Sequence, residues 1–412
     1  MLDRQDEGLS CWTATSPLPS FPSLNRSLDV DVAVIGGGVT AVTAAHLLKQ
    51  AGVRVALIER DRCGGGQTSR STAHLTAVTD APLTRLVDHV GAENARALWD
   101  AGFAAISRIR AEIRDARINC DFAWVRGSLH APLDVPTPQA RAALQQEAAI
   151  ANALGISAAY VDVVPGLSSP GVRFDGQARL HPLRYLSVLL DGIDGGNSHV
   201  FEQTEVHDID LDSLTVFAGA HRISARYIVV ATHVPLRCVT SKVADLRLGL
   251  DVATTYALSG TAPRGAIEEG IYWEHRDSPY EYLRLDREGE RDAVIFGGVD
   301  HAGPAGAAAP DRFARLERQL RQRIPGVTVE RRWSGSIVES VDGRPCIGEV
   351  ARGVFIATGY GGNGLTWGTL AGMMAVDAAR GARSPWQELF DPWRSRVRRE
   401  TWERQAVERE AS

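Results

Sequence analysis

Six consecutive residues, Gly36-Gly37-Gly38-Val39-Thr40-Ala41, limit the folds open to this chain more than any other stretch. They follow DVDVAVI, which alternates and then turns wholly apolar as a buried strand does. They open GGGVTAVTAAHLLKQAG, which has helical spacing and closes at Gly52. VRVALIE reads as a second strand, so the stretch is one βαβ unit. In that context the glycines form a dinucleotide fingerprint. Gly36 allows the tight turn, Gly38 lets the backbone approach a pyrophosphate, and Ala41 permits close helix-to-sheet packing. The helix N-terminus then offers N–H donors and positive dipole to the phosphates. Glu59 ends the second strand about 20 residues on, where a carboxylate accepts hydrogen bonds from ribose hydroxyls and repels a 2'-phosphate. A glycine-rich turn beside an incidental glutamate is the competing reading. It accounts less well for strand, helix and acid together. NADP is disfavoured, and FAD and NAD remain.

The far end of the chain separates these two. A simple NAD domain has no need of a second glycine-rich turn such as ATGYGGNGLTWG at 357–368. There Gly361, Gly362 and Gly364 allow close backbone approach, and the following helix can aim its N-terminus at an anion such as reduced flavin. Gly368, Gly372 and Ala375 recur at helical spacing and let that helix pack closely on its neighbours.

Between these two turns the pattern changes twice. Residues 11–28, rich in Pro and Ser, are expected to form an extended arm. Helical spacing recurs from Ala81 to Asn119 and over 138–154. A β pattern runs from Gly195 to Thr232 and again over 248–300, and a helix is expected at 311–323. The apolar strands RYIVVAT and GVFIATG lie far from the opening βαβ unit, so one domain is assembled from separated segments with a second domain inserted.

Composition narrows the function. The net charge of -5, from 45 basic and 50 acidic residues spread along all 412, offers no basic stripe for a nucleic acid. The five cysteines are widely spaced without CxxC or zinc-type clusters, which fits a reducing compartment and no protein-bound metal. The N-terminus lacks an apolar leader, and no run approaches the roughly 18 apolar residues of a membrane span, so a cytoplasmic location is expected. Lys49 and Lys242 are the only lysines, which removes lysine from most catalytic roles.

VDVAVIGGGVTAVTAAHLLKQAGVRVALIER, RYIVVATH, RRWSG, VDGRPCIG and GVFIATGYGGNG together resemble the FAD-dependent oxidoreductases of the D-amino-acid oxidase and glycine/sarcosine oxidase superfamily, from near Trp12 to about Trp393. TAHLTAVTD, HPLRYL, VIFGGVDH and WQELFDP are similar to a bacterial group that carries a C-terminal Rieske iron–sulfur domain. The two Cys-x-His pairs of such a domain do not occur in these 412 residues. The resemblance implies an α/β fold: a Rossmann-like FAD-binding domain of the glutathione-reductase type with an inserted antiparallel-sheet plus helix substrate domain. The expected boundaries are an arm at 1–28, the FAD-binding domain at 29–80, 155–240 and 333–390, the substrate or cap domain at 81–154 and 241–332, and a charged tail at 391–412.

The resemblance also implies a site. Gly36, Gly37, Gly38, Val39, Thr40, Glu59, Arg60, Gln67 and Thr68 would surround FAD, with Val206, Ala231, Thr232 and the turn at Gly359, Gly362, Asn363, Gly364, Leu365 and Thr366. Pro345 would lie beside the isoalloxazine, and N–H groups of 363–366 would stabilise charge developing on the ring as N5 accepts hydride. Val206 is equally compatible with a buried strand valine. Some relatives that demethylate N-methylglycines carry Ser-Thr-x-His with the histidine bonded to the flavin. Here Ser71-Thr72-Ala73-His74 stands in that place. A covalent tether, a non-covalent flavin contact and plain packing are all open for His74.

For the substrate face the inserted strands offer Tyr272 and Trp273, Tyr282 and Arg284, and Asp300 with His301. Tyr282 and Arg284 alternate and so share one face of a strand. Core packing for the aromatics and a surface role for Arg284 fit equally well. Amino-acid oxidases of the superfamily carry a carboxylate-binding arginine near the position of Ile337, which makes a simple α-amino acid a poor fit. The expected activity is oxidation of a C–N bond of a small amine or N-alkyl amino compound, with oxygen or a separate carrier as acceptor. Two alternatives are a dehydrogenase or reductase serving an iron–sulfur or quinone partner, and a non-catalytic FAD-binding scaffold. Relatives that use oxygen can carry a lysine in the VIFGG strand, where Ile295 stands here. Oligomeric state is not legible.

Overall fold

The computed structural model describes residues 8–132, 138–244, 246, 248–276, 280–303 and 309–394. Among these residues the strands form three sheets. The six-stranded sheet runs Cys346–Ala351, Val354–Thr358, Tyr227–Val230, Val32–Ile35, Val55–Ile58, His199–Phe201, parallel except at its first pair. Its central strands VAVI, VALI, YIVV and VFIAT are buried on both faces, as parallel strands covered on both sides must be. Segments more than 100 residues apart thus meet in register: Tyr227 pairs with Val32, and Ile228 with Val354.

Helix Val39–Gln50 follows the first of these strands and packs on helix Gly364–Ala379. The contact is close because Gly372 has no side chain; a Cβ there would stand 2.8 Å from Thr43 Cγ2. The two helices that start at the two glycine turns therefore support each other.

A nine-stranded, mainly antiparallel sheet forms the second layer. It is built around Leu250–Pro263, Arg291–Ala302, Glu281–Glu288 and Gly270–Glu274, with helix Ala309–Arg323 against one face. Leu258, Phe296, Leu316 and Leu320 belong to the core between them. A third, four-stranded sheet contains Val206–Asp210.

Three expectations need correction. Ala158–Val161 and Gly171–Arg179, assigned to the FAD-binding segment 155–240, join the nine-stranded sheet by pairing with Ala123–His130 and with each other. Thr328–Ser340 is one continuous strand across the expected boundary at 333, because it pairs along its length with Leu250–Pro263. The arm contains a helical turn, Cys11–Thr15, which Ser10 caps by accepting from Thr13 N–H and which buries Trp12. The tail beyond Arg394 lies outside the described residues. No helix among the described residues is long and apolar enough to cross a membrane.

Candidate active site

The carboxyl ends of the parallel strands open onto a cavity of ≈ 1130 Å³ that reaches the large sheet at Trp273 and Tyr282. Gly36 shapes its entrance. It holds φ +116°, and a Cβ there would overlap the carbonyl oxygen of Ala231, so only glycine lets the ends of these two neighbouring strands come together. Glu59 ends the next strand and lines the same space. Burial raises its carboxyl above the usual range, although Asp61 N–H donates to it at 2.8 Å.

The segment Gln67–His74 forms the cavity wall under the second turn and is fixed from outside by donors to four successive carbonyls. Trp333 Nε1 donates to Arg70 O at 2.8 Å, Trp12 Nε1 to Ser71 O at 2.7 Å, and Arg284 Nη1 to Thr72 O at 3.1 Å and Ala73 O at 2.9 Å. Gln67 Oε1 accepts from Ser336 N–H at 2.8 Å, and Thr68 Oγ1 from Val39 N–H at 3.0 Å. Ala73 sits at φ +56°, an uncommon conformation for a residue with a Cβ, and these bonds hold it there. The ring of His74 then lines the cavity with Nε2 shielded and without a partner among the described residues. Burial and the Arg284 charge lower its pKa to about 3, so it is neutral.

The second turn closes the other side. Asn363 Nδ2 donates to Val78 O at 3.0 Å, and Asp80 accepts from Gly362 N–H at 2.8 Å. Thr40 and Tyr360 share a hydrogen bond of 3.0 Å, which ties the first nucleotide helix to this turn. Of the residues expected around a cofactor, all line the cavity except Ala73, Pro345 and Thr366. Ala73 turns its carbonyl to Arg284, and Pro345 and Thr366 are packed in the interior. His74 is thus part of the wall, which leaves simple packing as an incomplete account of it.

The expected substrate residues divide. Tyr282 lines the cavity and bonds Thr255 at 2.9 Å, and Trp273 lines it too. Tyr272 points to the opposite face of its strand, buried in the sheet-to-helix core, with its hydroxyl on Glu268 O at 2.6 Å. His301 bonds Tyr256 at 3.0 Å and lies outside the cavity. Arg284 is neither a surface residue nor a substrate ligand: it is buried, bidentate on Asp286, and stacked over Trp12 at 5.1 Å.

Asp80 and Tyr280 are among the cavity residues that escaped the sequence reading. Asp80 acquires its place through a turn 282 residues away, which no local pattern announces. Tyr280 did have a signal, since it precedes Tyr282 by two, just before the strand Glu281–Glu288. Burial raises the carboxyl pKa of Asp80, of Asp300 to about 6 and of Glu339 to about 7.

An extended cavity running from an acidic strand end past a helix N-terminus to a second glycine turn fits FAD, and His74 lines that space. The FAD dependent oxidoreductase family, DAO, matches residues 31–378. The chain belongs to this family. It is an FAD-dependent oxidoreductase. Among curated relatives, YhfW of Bacillus subtilis (strain 168), whose name describes a Rieske 2Fe-2S iron-sulfur protein, is 28% identical over 391 residues, covering 93% of this chain and 75% of the relative. Gamma-glutamylputrescine oxidoreductase of Escherichia coli (strain K12) is 26% identical over 377 residues, covering 88% and 86%. The crystal structure of glycine oxidase from Geobacillus kaustophilus superimposes with a TM-score of 0.74 at 19% identity, covering 89% of this chain and 99% of that one, which shows the shared fold.

Proposed function

We propose that this flavoenzyme oxidises the C–N bond of a small amine or N-alkyl amino compound, removing hydride from the carbon beside the nitrogen and leaving an imine that water hydrolyses. When bound, FAD supplies the two-electron acceptor. The observation that carries the proposal is continuity: one cavity joins Gly36 and Glu59 to the pocket of Tyr280, Tyr282 and Ile337. The names of the E. coli and Geobacillus relatives, which concern an amine derivative and glycine, support the same chemistry. Ile337 and the tyrosines exclude water and favour the neutral amine, which alone has the lone pair needed to expel hydride.

A second reading concerns the acceptor. Ile295, buried in the strand Arg291–Ala302, offers no cation, and Lys242 is paired with Asp208 away from the cavity. Together with the iron–sulfur name of the Bacillus relative, this favours a separate electron carrier over oxygen. Anaerobic addition of a panel of amines, N-methyl amino acids and α-amino acids to FAD-loaded protein tests the proposal. Loss of the flavin absorbance near 450 nm with an amine supports it, and persistence across the panel sinks it.

A further inference from the structure

The end of the cavity beyond the Gly361–Gly362 turn is acidic and aromatic. Asp80 Oδ2 accepts from Gly362 N–H at 2.8 Å, and the side chain lines the cavity. Around the same turn, the Tyr280 hydroxyl would stand 3.3 Å from a Cβ placed on Gly362, and the Glu339 carboxyl carbon 3.9 Å from one on Gly361. On the adjoining strand Asp300 bonds Thr255 through its side chain, yet its Oδ1 is buried with no partner. The Tyr280 and Tyr282 rings lie 6.0 Å apart at 51°, and the His74 ring meets Tyr282 edge-on at 6.1 Å. Positive groups here are engaged: Arg276 pairs with Glu274 at 3.2 Å, and Arg85, on the Glu339 side, has a partner of its own. The carboxyls do not form a metal-ligand set.

Asp80 presents an exposed carboxylate to the cavity; taking water from it without supplying a counter-charge is costly, and so is placing a second anion against it. Two tyrosine faces attract cations. The reacting nitrogen cannot be that cation, because it must be neutral when hydride leaves. A different positive group on the same molecule meets both requirements.

Resting on the amine-oxidation reading, we propose that Asp80, backed by Glu339 and Asp300, selects an aliphatic diamine: one nitrogen reacts while the other is held as an ammonium between the Asp80 carboxylate and the Tyr280 and Tyr282 rings.

The test uses FAD-loaded protein with three probes of equal chain length: 1,4-diaminobutane, butylamine and 4-aminobutanoate. Binding is measured by calorimetry and the second-order rate of anaerobic flavin bleaching by absorbance. The diamine should bind and react at least tenfold better than butylamine, and the amino acid worst. Asp80→Asn, which keeps an acceptor for Gly362 N–H, should remove at least tenfold of that preference, and Glu339→Gln part of it. Equal or better use of butylamine or 4-aminobutanoate by the wild type overturns the inference while amine oxidation stands. Preferred binding of the diamine without bleaching by any probe supports acidic recognition and sinks the oxidation reading. Neither binding nor bleaching sinks both.

Discussion

Arg284 Nη1 donates to the carbonyl of Ala73 at 2.9 Å, one residue before His74, while Nε and Nη2 grip Asp286. A side chain on the inserted sheet therefore sets the cavity wall. Replacing it by methionine leaves Asp286 beside the single remaining guanidinium of Arg179 and strands the Ala73 and Leu180 carbonyls. Arg284→Met should cost about 3–5 kcal/mol of stability, as removal of one partner from a buried ion pair does. Urea unfolding of the FAD-free protein checks this; a loss below about 1 kcal/mol would show that Trp12 and Trp333 hold the segment alone.

Gly36 offers a cleaner test of the nucleotide end. Gly36→Ala must shift either the turn or Ala231, since a Cβ at that position overlaps the carbonyl. The variant should retain its fold by circular dichroism and lose most of its flavin, read as the ratio of absorbance at 450 nm to that at 280 nm. Full flavin retention would contradict the role given to this turn.

Buried histidines make stability depend on pH. Burial holds His130 at about 4 and His74 at about 3, both below the ordinary value of about 6.5. A depressed histidine stays neutral in the fold while the unfolded chain takes up a proton. Its contribution is complete above pH 6.5 and declines as pH falls toward the folded value, by up to about 1.4 kcal/mol per unit. The raised carboxyls of Asp300 and Glu339 act in the opposite sense, so the histidine part is read as a difference. Denaturant midpoints of wild type and His130→Asn should converge between pH 7 and pH 4.5. Parallel curves would show that His130 does not titrate this way.

Reduced enzyme should react slowly with air. Position 295 holds a buried isoleucine in place of a cation, and Lys242 is committed to Asp208 at the surface. Reoxidation of amine-reduced flavin by dissolved oxygen should trail reoxidation by an artificial quinone at least tenfold in stopped-flow traces. A fast reaction with oxygen would identify the protein as an oxidase and remove the case for a separate carrier.

What the sequence disclosed and what it withheld follow the range of the interactions. Gly36, Glu59 and Gly364 were legible because strand, turn and helix carry local periodicity and the fingerprint lies at their junction. Arg284 and Tyr272 were misplaced because alternation assigns residues to a face without saying whether that face meets a cavity, a helix or another loop. Arg284 does share a strand face with Tyr282, but the cavity ends between them, and beyond that edge the guanidinium meets the 72–73 carbonyls. Asp80 was silent for a different reason: its partner is a backbone N–H at Gly362, and backbone donors leave no mark in a sequence.

The most direct measurement is a single anaerobic turnover of FAD-loaded protein with limiting amine, counting products against bleached flavin. One aldehyde and one released amine or ammonia per flavin reduced is the result predicted. Flavin that stays oxidised, or bleaches without carbonyl product, would contradict C–N oxidation in this cavity.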